Sequence, residues 1–267
     1  MSWSVFDPFH DFQSAGYLRN VEGMKDLQRI RKHEAFFFES NLEEAVHFLG
    51  KQRGPITYRH FLQVHRILFH EFYPWAGQDR HQLGVGRIVT KGPSVQFELS
   101  ERSQQAVEWG LRDGNDRECI RRRPGGVMGA FAWGHPLLDG NGRTMLLVHA
   151  ELCHRAGFSI DWIRSRKNDY LDALTHELAH PRDMVLDAYF ARLTVPSQVR
   201  ENWIDQFKSL PGLDGADRSA DPVNARKDNA YVPARYGGMP KACDSQETGV
   251  DSKSPNTGPS RGRRIRR

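Results

Sequence analysis

His135-Pro136-Leu137-Leu138-Asp139-Gly140-Asn141-Gly142-Arg143 places an imidazole, a carboxylate, a glycine turn and a guanidinium within nine consecutive residues. A glycine turn leaves backbone N–H groups open, and where it leads into a helix those groups favour phosphate-like anions. Gly140-Asn141-Gly142 supply the turn, and Arg143 to Arg155 read as the helix that follows, with Gly157 just past its end as the expected cap. His135 stands before the turn as a base, and Asp139 stands within it as a carboxylate able to hold a metal. Base, carboxylate and phosphate cradle together point to transfer of part of a nucleotide.

Outward from this stretch the chain reads as helices. Arg123-Pro124-Gly125 opens one whose Val127, Met128, Phe131, Ala132 and Trp133 lead directly into His135. Upstream, Asp26 to His47 lacks internal breakers. Thr57 is a suitable N-cap for a helix carrying Phe61, Val64, His65, Leu68 and Phe69 at helical spacing. Ser100 to about Leu111 reads as a further helix, and Asn168 to Leu178 and Asp183 to Leu193 as later ones. Between Gly77 and Phe97 the pattern breaks. There Gly84, Gly86, Gly92 and Pro93 bracket Arg87-Ile88-Val89-Thr90-Lys91, which predicts a short β-hairpin. The fold expected is mainly α, a helical bundle with one small hairpin and no βαβ alternation.

The nine-residue stretch resembles the signature of the Fic (Fido) family, His-x-Phe-x-(Asp/Glu)-Gly-Asn-Gly-Arg-x-x-Arg. Trp75-Ala76-Gly77-Gln78-Asp79-Arg80 is similar to the segment that precedes the family's flap. Two positions depart from the pattern: Leu137 replaces phenylalanine, and Leu146 replaces the second arginine, which in the family helps to hold the terminal phosphates. The resemblance implies a protein adenylyltransferase that moves AMP from ATP to a Ser, Thr or Tyr hydroxyl of a target protein. It assigns His135 as general base and Asp139 as the Mg²⁺ ligand, with Gly140, Asn141, Gly142 and Arg143 holding the nucleotide. Arg87, Ile88, Val89, Thr90 and Lys91 would form the flap that pins the target by strand addition. Leu146 cannot donate to phosphate, so Arg143 is expected to carry the direct positive charge.

Two further patterns compete for attention. His176-Glu177-Leu178-Ala179-His180 matches the His-Glu-x-x-His form of zinc proteases, but Pro181 follows at once and no histidine occurs after His180. Ser197-Gln198-Val199-Arg200-Glu201-Asn202 fits the family's inhibitory-helix pattern, (Ser/Thr)-x-x-x-Glu-(Gly/Asn), with Ser197 as cap and Glu201 as the inhibitory carboxylate. An antitoxin-like inhibitor protein is the alternative source of restraint.

Composition bounds the rest. The chain of 267 residues, with 15 Phe and 6 Trp, can bury a sizeable core. It has no apolar run long enough for a membrane span, and three well-separated cysteines favour a reducing, cytoplasmic setting. The net charge is +5, yet Ser197 to Arg267 hold 13 Lys/Arg against 9 Asp/Glu, so the remainder is nearly neutral. Nucleic-acid binding is therefore not expected beyond the arginine-rich end. The organisation expected is an N-terminal arm and helix over 1–56, a Fido domain over 57–196, and a C-terminal helix with a disordered basic tail over 197–267.

Overall fold

The computed structural model describes residues 19–84, 86–91, 95–210 and 223–226. The expected N-terminal arm and the arginine-rich end lie outside them. Helix α1 (Leu27–Lys51) begins where the Asp26 carboxylate accepts from Arg29 N at 2.8 Å, and its buried stripe runs Ile30, Glu34, Ala35, Phe38, Leu42, Ala45, Val46, Leu49. Helix α2 (Tyr58–Phe69) starts at Thr57 through a capping box closed by His60. A hairpin of β1 (Ile88–Lys91) and β2 (Val95–Gln96) follows, then α3 (Ser100–Asn115), α4 (Arg117–Arg122), α5 (Pro124–Gly134) and α6 (Asn141–Arg155). The chain continues through β3 (Phe158–Ile160), α7 (Lys167–Ala179), α8 (Val185–Ala191), β4 (Thr194–Pro196) and α9 (Glu201–Lys208).

Every residue of α5 is buried, so it forms the axis of the bundle, packed on α3, α6, α7 and α8. Close approach requires small residues there. A Cβ on Gly125 would lie 2.3 Å from the Asp187 backbone nitrogen. Helix α6 lies across α1, α2, α3 and α5 and carries Leu147, Val148, Leu152 and Cys153 into one continuous core with Phe61 and Phe131. Each large apolar side chain buried this way contributes about 1.5–3 kcal/mol.

Two helices run longer than their sequence patterns predict. Helix α1 extends to Lys51, and Arg155 donates to the carbonyls of Leu49, Gln52 and Gly54 at its end. Helix α3 extends to Asn115, whose side chain pairs with both the N–H and the carbonyl of Ile56. Such partners come from distant sequence, so local periodicity does not see them.

The strands hold the main differences from expectation. The pairing of β3 with β4 is absent from the sequence reading, since three residues carry no usable alternation. Beyond Leu210 the described residues are Val223–Arg226, a strand, β5, antiparallel to β1, giving the order β2-β1-β5. Composition rules weigh apolar burial and cannot register backbone pairing with a distant sheet edge.

Glu177 is 1% exposed on α7, near Arg123 and Asp187, and burial first, then Asp187, raises its pKa from 4.5 to about 7. A carboxyl whose folded pKa lies above its ordinary value contributes stability that is complete below the ordinary value and lost as pH rises through the folded one. Thermal unfolding followed from about pH 5 to about pH 8 should therefore show wild type losing more stability than Glu177→Gln, by at most about 3 kcal/mol. Parallel curves would remove Glu177 as the source.

Candidate active site

The site forms where α5 ends and α6 begins. His135 closes α5 in the left-handed region at φ 39°, and Gly140 precedes α6 at φ 72°. A left-handed non-glycine residue costs roughly 1–2 kcal/mol, so the surroundings must hold His135 there. Arg80 is the holder. Its Nε donates to the His135 carbonyl at 2.7 Å, and its Nη2 donates to the Glu98 carbonyl at 2.8 Å. Its Nη1 donates to the carbonyl of Gly86, at the root of the hairpin. Burial pulls the Arg80 pKa down to about 10, still charged at neutrality.

The loop between the two helices is stapled by Asn141. Its Oδ1 accepts from Leu137 N at 3.0 Å and its Nδ2 donates to the Leu137 carbonyl at 2.7 Å. The Asn141 side chain thus shapes the turn, a role the family resemblance does not separate from ligand contact. Leu137 is fully buried, which explains why one apolar residue can stand in for another there. Gly140 has no alternative, because its φ is positive and a Cβ would meet Phe69 at 2.6 Å. At Gly142 a Cβ would meet nothing within 4 Å, so space lies open beside the first turn of α6.

Arg143 is held over the rings of Phe69 and Phe38, at 5.3 and 5.8 Å. Its Nη2 faces Glu34 Oε2 at 3.4 Å, while its buried Nη1 has no hydrogen-bond partner among the described residues. Glu34, from the buried stripe of α1, also accepts from the Tyr73 hydroxyl. Burial first, and the nearby Asp139 charge second, push its pKa up to about 8. Sequence reasoning missed Glu34. The available signal was a glutamate standing four residues after Ile30 and four before Phe38, on the apolar stripe. Leu146, in place of the second arginine, is packed in the core. Arg80 is committed to carbonyls and Arg87 to Glu101, so neither replaces that arginine.

The hairpin is joined to the base. Phe97, just after β2, stacks on the His135 ring with centroids 3.8 Å apart and planes 14° apart. Its N–H donates to the Val89 carbonyl. Ile88 and Val89 are buried and Thr90 is half-buried, so along these residues β1 offers mainly backbone to a partner. His135, Asp139, Gly140, Asn141, Gly142 and Arg143 therefore meet in one turn, beside the flap residues.

Two expected groups lie elsewhere. Ser197 bonds His154 near the C-terminal end of α6, and Arg200 bonds Glu151. At 1.5 Å rise per residue that end is about 16 Å along the helix from Arg143, so Glu201, exposed at the start of α9, is not brought to it. The carboxylate beside Arg143 is Glu34. At the His176 motif, α7 ends at Ala179, so His180 lies outside the helix. His176 bonds Asp183, while Glu177 is buried against Gly129 rather than between the histidines.

Residues 55–153 match the Fic/DOC family. They are a Fic/Doc domain. The chain is 30% identical over 172 residues to the protein adenylyltransferase VbhT of Bartonella schoenbuchensis, covering 61% of this chain and 34% of that protein. It therefore spans about a third of that relative's length. It is 26% identical over 162 residues to the "Probable protein adenylyltransferase y4lH" of Sinorhizobium fredii, covering 59% of this chain and 81% of the relative. Among solved structures, BepC of Bartonella tribocorum with bound AMPPNP superposes with a TM-score of 0.53 at 20% identity, over 70% of this chain and 96% of that one. The N-terminal Fic domain of a Bep effector from Bartonella sp. AR 15-3 gives 0.55 at 16% identity, over 71% and 90%. These likenesses establish the Fic fold. No helix among the described residues is long and apolar enough to cross a membrane.

Asn141→Ala should remove both bonds to Leu137 and leave a buried N–H unmatched, at a cost of about 1–3 kcal/mol. Thermal unfolding should report that loss. A variant as stable as wild type would mean that the turn holds its shape without the staple.

Proposed function

We propose that this Fic/Doc domain is a protein adenylyltransferase that transfers AMP from ATP to a Ser, Thr or Tyr hydroxyl of a target protein. The observation that carries the reading is the seating of the His135 ring on Phe97 of the flap, one turn away from a helix N-terminus whose Arg143 keeps a buried donor unmatched. A segment paired to the flap edge brings its hydroxyl to the base, and the phosphates of ATP find the α6 N-terminus. The relatives named adenylyltransferases and the AMPPNP-containing neighbour support the same reading.

His135 takes the hydroxyl proton, and the oxygen forms a bond to the α-phosphorus as the bond to the β-phosphate oxygen breaks. Pyrophosphate leaves with that bonding pair. Arg143 and the open N–H groups beside Gly142 hold the charge that accumulates on the phosphates. Asp139, half-buried at the turn, is the residue that would hold Mg²⁺, which offsets phosphate charge when bound. The left-handed backbone of His135, fixed by Arg80, sets the base in place before substrate arrives, so its positioning entropy is already spent.

With Mg²⁺ and ATP, the protein should label itself or a target from α-³²P, and His135→Ala should abolish the label while thermal unfolding stays cooperative. Label arriving from γ-³²P instead would replace this reading with phosphate transfer.

Arg143 faces Glu34 before any nucleotide arrives, and ATP must bring its phosphates to the same guanidinium. Glu34→Gln removes the competing charge while keeping a hydrogen-bond acceptor for Tyr73. Above about pH 8, where the Glu34 carboxylate is ionised, it should tighten ATP binding by about tenfold, the scale of one charge-assisted contact, and the gain should shrink as pH falls below that value. Calorimetry giving an unchanged or weaker affinity would show that Glu34 positions Arg143 instead of competing with nucleotide.

A further inference from the structure

Strand β1 has two edges. One pairs with β2, and the Val89 carbonyl accepting from Phe97 N places Val89 on that side. Backbone direction alternates along a strand, so Ile88 and Thr90 face the opposite edge. That edge is where a target would add, and Val223–Arg226 of the same chain lie along it, antiparallel, with Thr90 opposite Asn224 and Ile88 opposite Arg226. The four residues are Val223-Asn224-Ala225-Arg226, and none carries a hydroxyl. Twelve residues separate Leu210 from Val223 in sequence, and a chain of that length reaches up to about 40 Å.

We propose that Val223–Arg226 is a built-in pseudosubstrate: it occupies the target-docking edge of the flap, and lacking a hydroxyl it cannot be modified there. The inference rests on the adenylyltransferase reading above for its consequence, but the docking itself does not depend on activity. Strand addition is carried by main-chain hydrogen bonds and places few demands on side chains, so a protein target competes with the chain's own strand for the same donors and acceptors. An open sheet edge is also a liability in the absence of target, and an internal strand protects it. The restraint is graded: a target whose strand pairs better, or that arrives at higher effective concentration, displaces β5.

The docking is tested by residue-resolved amide hydrogen exchange on the full chain. In wild type the amides of Ile88 and Thr90 should exchange slowly. In the double variant Asn224→Pro with Arg226→Pro, which removes both N–H donors on the facing positions, they should exchange at least about tenfold faster. Val89, whose amide faces β2, should not change. Equal rates at Ile88 and Thr90 in the two proteins would overturn the proposal. The pseudosubstrate role is tested by giving the strand a hydroxyl on each face in turn. Asn224→Ser or Ala225→Ser should acquire α-³²P label at the introduced serine, located by mass spectrometry, where wild type carries none in this segment. Label on neither serine, in proteins that label themselves elsewhere, would overturn the role. A protein that adds no label anywhere, yet shows the exchange difference, would defeat the adenylyltransferase reading and leave the strand docking established.

Discussion

The Arg80 guanidinium is the interaction on which the site depends. It is fully buried and spends its donors on the carbonyls of His135, Glu98 and Gly86. Those carbonyls belong to the end of α5, the segment leading into α3 and the root of the hairpin. A buried cation is tolerated when its donors are matched, and here the matching groups are backbone dipoles from three elements. The same bonds fix the left-handed turn at His135 and hold the flap against it. Phe97 completes the arrangement by stacking on the His135 imidazole, so the hairpin is packed directly against that ring.

The surroundings of Arg143 have the opposite character. Where Arg80 is satisfied, Arg143 is left with a buried donor unmatched among the described residues, and Glu34 is held in a place that pushes its pKa up to about 8. Burial and the neighbouring Asp139 charge both disfavour the Glu34 anion, with only Arg143 and Tyr73 acting the other way. Among the described residues this corner of the molecule is therefore poorly satisfied by the protein alone. Strain and unmatched polar groups of this kind concentrate where a ligand is expected to settle them. Leu146, where the family pattern has a second arginine, is packed in the core, so Arg143 is the guanidinium that stands at this turn.

Much of this was legible in the sequence for local reasons. The turn Gly140-Asn141-Gly142, the helix to Arg155 with Gly157 beyond it, the cap at Thr57 and the hairpin around Ile88 are each encoded within a few residues by backbone preference and periodicity. The motif residues therefore lie together in one turn, as their adjacency along the chain requires. Other roles had no local signature. That Asn141 staples the loop, that Arg80 anchors the base, and that Ser197 and Glu201 sit at the far end of α6 from Arg143 follow from how helices stack. Glu34 is more than a hundred residues from Arg143 in sequence and meets it only because α1 lies across α6.

The sequence by itself thus determined most of the helices, the hairpin and the glycine turn, because capping, periodicity and turn geometry are decided by neighbours along the chain. Only the tertiary structure decided which charge opposes Arg143 and which strand lies on the flap. Both are pairings between distant segments, set by burial and by the hydrogen-bonding edge that packing leaves open.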